Sequence, residues 1–298
     1  MKNLKELITL AKGKKIKTLS IAAAADLEVL EAVSKAKGAG LINAVLVGNK
    51  DLIEEISKDN NIDISGMEII DEIDDIKAAL TAVSLVREKK ADFLMKGMLK
   101  TSDILKAVLN KETGIKGKGL LSHVMLYEVP NYHKIISLTD GGMVPYPTFT
   151  DKVAIIKNAV SLAHAIGIKE PKVAPICAVE VVNEGMQATM DAAVLSQMNK
   201  RGQIKGCIID GPLALDNAIS KAAAEHKNIK SQVAGEADIL LVPNIESGNF
   251  LGKSLTYFAN AKNAGVVLGA LCPIVLVSRA DSMDSKLYSI ALGSLISQ

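Results

Sequence analysis

Residues 238–255 read DILLVPNIESGNFLGKSL. Ile239 to Val242 is an apolar run of strand length, ended by Pro243 and Asn244. Gly248 and Gly252 follow, then Lys253 and Ser254, then apolar residues at helical spacing through Leu255, Phe258 and Ala259. The order expected from this pattern is a strand, a glycine-bearing loop and a helix N-terminus. Backbone N–H groups and the positive end of the helix dipole would meet in that loop, beside a lysine and hydroxyl groups, an arrangement that suits a phosphate. A nucleotide-binding P-loop places four residues between its first glycine and the Gly-Lys-Ser. Only Asn249, Phe250 and Leu251 stand there, so the loop is too short for that fit. The expectation is a simpler anion site with Asn249, Gly252, Lys253 and Ser254 as its candidates.

The same strand–loop–helix unit recurs on both sides of this stretch. Towards the N-terminus, strand-like runs at Thr18–Ala24, Asn43–Val47, Met67–Ile70 and Ala91–Met95 alternate with helical patterns at Leu4–Ala11, Asp26–Lys37, Ile53–Ile56 and Ile76–Glu88. This rhythm predicts an α/β fold with a mostly parallel, doubly wound sheet. Ligands of such sheets bind beyond the carboxyl ends of the strands. Leu120–Val129 and Lys134–Thr139 flank Pro130-Asn131 and read as an antiparallel hairpin. The run DGGMVPYPTFTDK, residues 140–152, breaks regular structure and marks the first domain boundary. A long helix is expected over Asp151–Ile166, capped by Thr150 or Asp151. A second α/β series follows: strands at Val173–Ala178 and Gly206–Ile209, helices at Met186–Met198 and Leu215–Ala224, then the opening stretch. Beyond it a helix is expected over Phe258–Ala264, strands at Val266–Leu268 and Ile274–Val277, and a closing amphipathic helix over Leu287–Ile296.

Composition excludes several classes. The chain has 298 residues, a net charge of +2, 3% aromatic residues and no Trp, which speaks against a nucleic-acid protein. Cys177, Cys207 and Cys272 are far apart in apolar contexts and have no metal-ligand spacing, so they read as buried thiols of a reducing compartment. The four histidines, 123, 133, 164 and 226, form no metal motif, and no metal site is expected. No apolar run is long enough to span a membrane, and the N-terminus MKNLKELITLAKGKK lacks a signal-peptide core. A soluble, cytoplasmic protein is expected.

Four segments combine a strand end, small or charged residues and a helix start. They are KGMLKTSD (96–103), DGGMVPYPTFTD (140–151), NIESGNFLGKS (244–254) and SRADSMDS (278–285). In the first, Lys96, Gly97 and Lys100 form the loop, Thr101 or Ser102 caps the helix, and Lys106 lies a turn further on. With only three arginines in the chain, lysines and backbone amides must do most of any anion binding. In the last, Ser278 and Arg279 directly follow a strand, with Asp281 and Asp284 close by. A hydroxyl, a guanidinium and a carboxylate at one strand end fit anion binding with proton transfer. Arg279 in a surface ion pair, with Asp281 or Ser282 capping the last helix, is the competing structural reading.

Taken together, KGMLKTSDILKAVL, DGGMVPYPTFTDK, AGEADILLVPNIESGNFLGKSL and VLVSRADSMDSKLYSIAL make the chain resemble the phosphate acetyl/butyryltransferase family over nearly its full length, leaning to the butyryl-transferring members. The resemblance implies two doubly wound α/β domains of isocitrate/isopropylmalate dehydrogenase-like type with an interdomain cleft. One would be 1–142 with 266–298, the other an insertion, 143–265. It implies reversible acyl transfer between coenzyme A and inorganic phosphate by direct attack in a ternary complex. No tightly bound cofactor is implied, coenzyme A being a substrate, and a homodimer or larger homo-oligomer is. Ser278 and Arg279 match the family's Ser-Arg pair. Lys106 falls where acetyl-transferring members carry an arginine, and Lys100 and Thr101 join it as phosphate-binding candidates. Those members place an aspartate where this chain has Ser285, so the carboxylate expected to act as base is Asp284, with Asp281 the alternative. Three further readings stay open: a phosphate acetyltransferase, a non-catalytic CoA or acyl-phosphate binder, and a metal- and NAD-dependent decarboxylating dehydrogenase of the same fold. Three arginines and no matching aspartate cluster count against the last.

Overall fold

The computed structural model describes residues 1–278 and 281–297. The chain divides into two compact units, Leu4–Gly119 with Asn263–Gln298, and Met1–Asn3 with Leu120–Lys262.

The first unit opens with α1 (Lys5–Lys12), β1 (Lys17–Ala22), α2 (Leu27–Gly38), β2 (Ile42–Gly48), α3 (Lys50–Asp59), β3 (Glu68–Asp71), α4 (Asp75–Arg87), β4 (Phe93–Lys96) and α5 (Thr101–Leu109). Short polar residues start its helices: the side chains of Asp26, Asn49 and Asp74 accept hydrogen bonds from Val29, Leu52 and Ile76 N–H. β1 pairs in parallel with β2 and β4, and β2 with β3. Every residue of β4 is buried, as expected of a central strand covered on both faces.

The second unit continues with β5 (Ser122–Glu128), β6 (Ile136–Thr139), α6 (Phe149–Ala165), β7 (Lys172–Pro175), α7 (Gln187–Lys200), β8 (Ile208–Ile209), α8 (Leu215–Ile219), α9 (Lys221–His226), β9 (Ile239–Leu241) and α10 (Ile245–Tyr257). β5 and β6 form the expected antiparallel hairpin, and β6, β9, β7 and β8 run parallel in that spatial order. Pairing of Ser137, Leu138 and Thr139 with Ile239, Leu240 and Leu241 ties the hairpin to this unit. It therefore does not belong to the first domain, where a boundary at residue 142 would have left it. The cap of α6 is Thr148, which exchanges hydrogen bonds with Asp151, rather than Thr150 or Asp151 itself. The helix expected over Leu215–Ala224 is broken at Ser220, whose backbone is extended and whose hydroxyl caps α9.

The chain returns to the first unit through β10 (Lys262–Leu268), β11 (Ile274–Val275) and α11 (Met283–Ile296). No helix spans Phe258–Ala264: α10 stops at Tyr257, Asn260 adopts a left-handed φ of 50°, and β10 begins two residues later. β11 runs parallel to β4 and antiparallel to β10. α11 is not amphipathic in use, because Ser285 and Lys286 and then every residue from Tyr288 to Ser294 are buried. It lies against α1, α2, β4 and β11. Gly293 permits this, since a Cβ there would sit 2.8 Å from the Phe93 ring.

Candidate functional site

In the first unit, β1, β4 and β11 are parallel neighbours, so the loops after them leave one sheet edge. Gly97 N–H donates to the Ala22 carbonyl and Met98 N–H to that of Ala23, both at 2.8 Å. A Cβ on Gly97 would overlap the Ala23 carbonyl oxygen, so only glycine fits this approach. Lys96 is not a loop residue but the last residue of β4, and it is buried. Its Nζ donates to the Gly97 carbonyl at 3.0 Å and the Leu99 carbonyl at 3.2 Å. A small cavity here is lined by Asp26, Lys96, Gly97, Ser278 and Lys286, among others. KGMLKTSD and the start of SRADSMDS therefore meet within this unit.

Ser278 is exposed, and its N–H donates to Asp281 Oδ2 at 2.7 Å. Asp281 N–H returns to the Ser278 carbonyl at 3.1 Å. Asp281 is thus engaged by the Ser278 backbone through both its carboxylate and its N–H. Ser282 is the cap of α11, accepting from Ser285 N–H. Asp284 lies in the first turn, exposed, whereas Ser285 is buried. The carboxylate accordingly faces solvent and the serine faces the protein, as an offset of about 100° per residue requires. Arg279 lies outside the described residues.

Two features of this unit escaped the sequence reading. Lys286 is only 2% exposed, and its Nζ bonds the Glu28 carboxylate and the Asp281 carbonyl. The sequence carried no signal for it, because the closing helix expected from the apolar pattern starts only at Leu287 and α11 is buried around nearly its whole circumference. The expected cap of α5 also shifts. Lys100 holds the N-cap position without a side-chain hydrogen bond, and Thr101 and Ser102 lie inside the helix. Lys100 and Thr101 are both exposed. Lys106 is 79% exposed and pairs with Asp103 at 3.3 Å.

In the second unit, the parallel strands β6, β9 and β7 also end on one edge, which brings DGGMVPYPT beside PNIESG. The buried Asp140 accepts from Gly142 and Met143 N–H at 2.9 Å and from Val144 N–H at 3.2 Å. Burial raises its pKa above the ordinary carboxylate value, against the opposing pull of those N–H groups and of His123.

The opening stretch folds differently from its expectation. α10 begins at Ile245, capped by Asn244, so Gly248 and Gly252 sit inside a helix and not in a loop. The helix start is engaged from within: Ile245 N–H donates to the Pro145 carbonyl and Ser247 N–H to Asn244 Oδ1. The glycines serve packing. A Cβ on Gly248 would lie 2.6 Å from Gly141 Cα, and one on Gly252 would lie 2.5 Å from the Tyr127 hydroxyl. Gly252 is buried and cannot offer its amide to a ligand, a correction to its place among the candidates. Asn249 and Lys253 are exposed and Ser254 half-buried on the body of the helix. Lys253 Nζ lies 5.8 Å from the centre of the Tyr257 ring. Asn249 lies about one turn, and Lys253 and Ser254 about two turns or more, past the helix start, where amides are consumed by the helix itself.

All three cysteines are free and buried. Burial pushes the Cys177 and Cys207 thiols up to about 11 and Cys272 to about 12, which leaves them protonated and poorly nucleophilic at neutral pH. Among the described residues no His, Cys, Asp and Glu cluster could hold a metal ion, and no helix is long and apolar enough to cross a membrane.

The geometry is that of known phosphotransacylases. A branched-chain phosphotransacylase from Enterococcus faecalis V583 superposes with a TM-score of 0.81 at 33% identity, over 94% of this chain and 99% of that one. The family model described as Phosphate acetyl/butaryl transferase matches residues 73–294, and the chain belongs to that family. It is 50% identical to the phosphate butyryltransferase of Clostridium beijerinckii over 99% of this chain and 98% of that protein. It is 44% identical to the phosphate acetyltransferase of Thermotoga maritima over 98% of this chain and 99% of that protein.

Proposed function

We propose that the protein transfers a short-chain acyl group, butyryl above all, reversibly between coenzyme A and inorganic phosphate. A phosphate oxygen attacks the thioester carbonyl carbon, a tetrahedral oxyanion forms, and the C–S bond breaks. The sulfur leaves as thiolate and takes up a proton, giving acyl phosphate and CoA. The observation that carries this reading is the 50% identity, along essentially the whole chain, to a phosphate butyryltransferase. Catalysis would consist of holding two polyanions in line and stabilising the oxyanion, without a covalent enzyme intermediate. The high thiol pKa values support that absence of a cysteine nucleophile.

In this reading Ser278 and Arg279 position phosphate and the oxyanion, and Asp284 exchanges the thiol proton. Lys100, Thr101 and Lys106 are candidates to meet anionic groups of the substrates, as are Asn249, Lys253 and Ser254. Exposure of Asp284, Lys100 and Lys253 supports these roles, since each is open to a ligand. The same reading includes α/β domains of isocitrate/isopropylmalate dehydrogenase type, a homo-oligomeric state and a cytoplasmic setting.

Acetyl transfer is the second reading, favoured by the 44% identity to a phosphate acetyltransferase. Phosphate-dependent thiol release from acyl-CoAs of two to six carbons, without added metal or NAD, tests both. A maximum at four carbons is expected. A maximum at two carbons selects the acetyl reading, and no release at any length leaves only a CoA or acyl-phosphate binder.

A further inference from the structure

We propose that Lys286 is a positioning residue of the acyl-transfer site, holding the hydrogen-bonded pair Ser278 and Asp281 in place with Glu28 as its counter-charge. The inference rests on the acyl-transfer reading for its kinetic consequence and on the structure alone for its geometry.

An ammonium with 2% exposure is a costly occupant of a helix face. Its neighbours one and two turns on, Ile290 and Gly293, are apolar or small, and a methionine would sit among them without a buried charge. What the ammonium adds is specific. Its Nζ donates to the Asp281 carbonyl at 2.5 Å and to the Glu28 carboxylate. Asp281 in turn fixes the Ser278 N–H through Oδ2 and bonds back to the Ser278 carbonyl. A chain of hydrogen bonds thus runs from the first turn of α2 through Lys286 to the backbone of Ser278.

Lys96 does the same for the adjoining loop. It is buried, it lines the same cavity, and it ties down the carbonyls of Gly97 and Leu99 just before Lys100 and Thr101. Two buried lysines therefore hold loop carbonyls beneath the candidate residues of this unit. Displacing a reacting group by about 1 Å can cost on the order of 100-fold in rate. Lys286 acts on rate through Ser278 and need not touch a substrate.

The test compares wild type, K286M, K286R, and the double variant K286M/E28L, which removes both charges. K286M is expected to lose about 10- to 100-fold in kcat with KM for phosphate and CoA within about twofold. K286R, which keeps two donors, should recover part of that loss. K286M/E28L should melt close to K286M, because Glu28 is half exposed and its carboxylate stays hydrated without the lysine, and should stay slow, because the Asp281 carbonyl still lacks its donor. Recovery of kcat in K286M/E28L would overturn the proposal, as would a wild-type kcat in K286M. Hydrogen exchange at the Ser278 and Asp281 amides provides a readout without activity. It should accelerate in K286M/E28L, and unchanged protection there would equally overturn the proposal. Absence of thiol release by wild type would count against the acyl-transfer reading instead, leaving the exchange result to decide the role of Lys286.

Discussion

Lys152 Nζ lies 2.6 Å from Asp191 Oδ2, and both side chains are buried. The pair joins α6 to α7, and Gln187 Nε2 donates to the second Asp191 oxygen at 2.8 Å. Truncating one partner strands a charge in a low-dielectric site. K152M should therefore destabilise by about 3–5 kcal/mol, whereas K152M/D191L should lie close to wild type or above it. Urea melts of K152M, D191L and K152M/D191L measure this. An additive loss in the double variant would mean that the residues contribute independently.

One of the two glycines of GNFLGKS, Gly248, carries a second prediction, in which helix propensity and packing oppose each other. Glycine in a helix interior costs roughly 1 kcal/mol relative to alanine, so replacement ought to stabilise. At Gly248, however, a Cβ would meet Gly141 Cα at 2.6 Å and Val242 Cγ2 at 2.8 Å. Backbone cannot yield as a flexible side chain does, and overpacking of this kind costs about 1–3 kcal/mol. G248A should lower stability. G38A, at the end of α2 with nothing within 4 Å of the added methyl, should raise it by about 0.4–1 kcal/mol. Thermal melts of the two variants must move in opposite directions.

Those glycines also show what the sequence could and could not reveal. The alternation of strands and helices, the hairpin before residue 140 and the parallel order were legible because each rests on a local period of apolar residues. Whether Gly248 belongs to a loop or to a helix is not a local property. What decides it is the Gly141 backbone, more than a hundred residues away, which leaves no room for a side chain. The end of α10 escaped for a related reason, since a left-handed asparagine at 260 leaves the apolar period undisturbed. Lys286 was not legible: the closing helix expected from the apolar period begins after it, at Leu287, and Glu28, its partner, lies 258 residues away. Residues 120–139 followed the second unit because their partners on β9 come late in the chain.

Asp281 and Asp284 are separated by their surroundings, and that separates their variants. Asp281 Oδ2 holds the Ser278 N–H at 2.7 Å, so D281N weakens a charge-assisted hydrogen bond to the Ser278 backbone. It should lower kcat and also speed exchange at the Ser278 amide. Asp284 is exposed in the first turn of α11 and makes no hydrogen bond to a described residue. D284N should leave that exchange unchanged and move the thermal midpoint little, as surface substitutions do. If Asp284 takes the thiol proton, D284N should lose about 10²- to 10⁴-fold in kcat for attack of CoA on the acyl phosphate. A wild-type rate in D284N, with D281N impaired, would move the proton-transfer role away from residue 284.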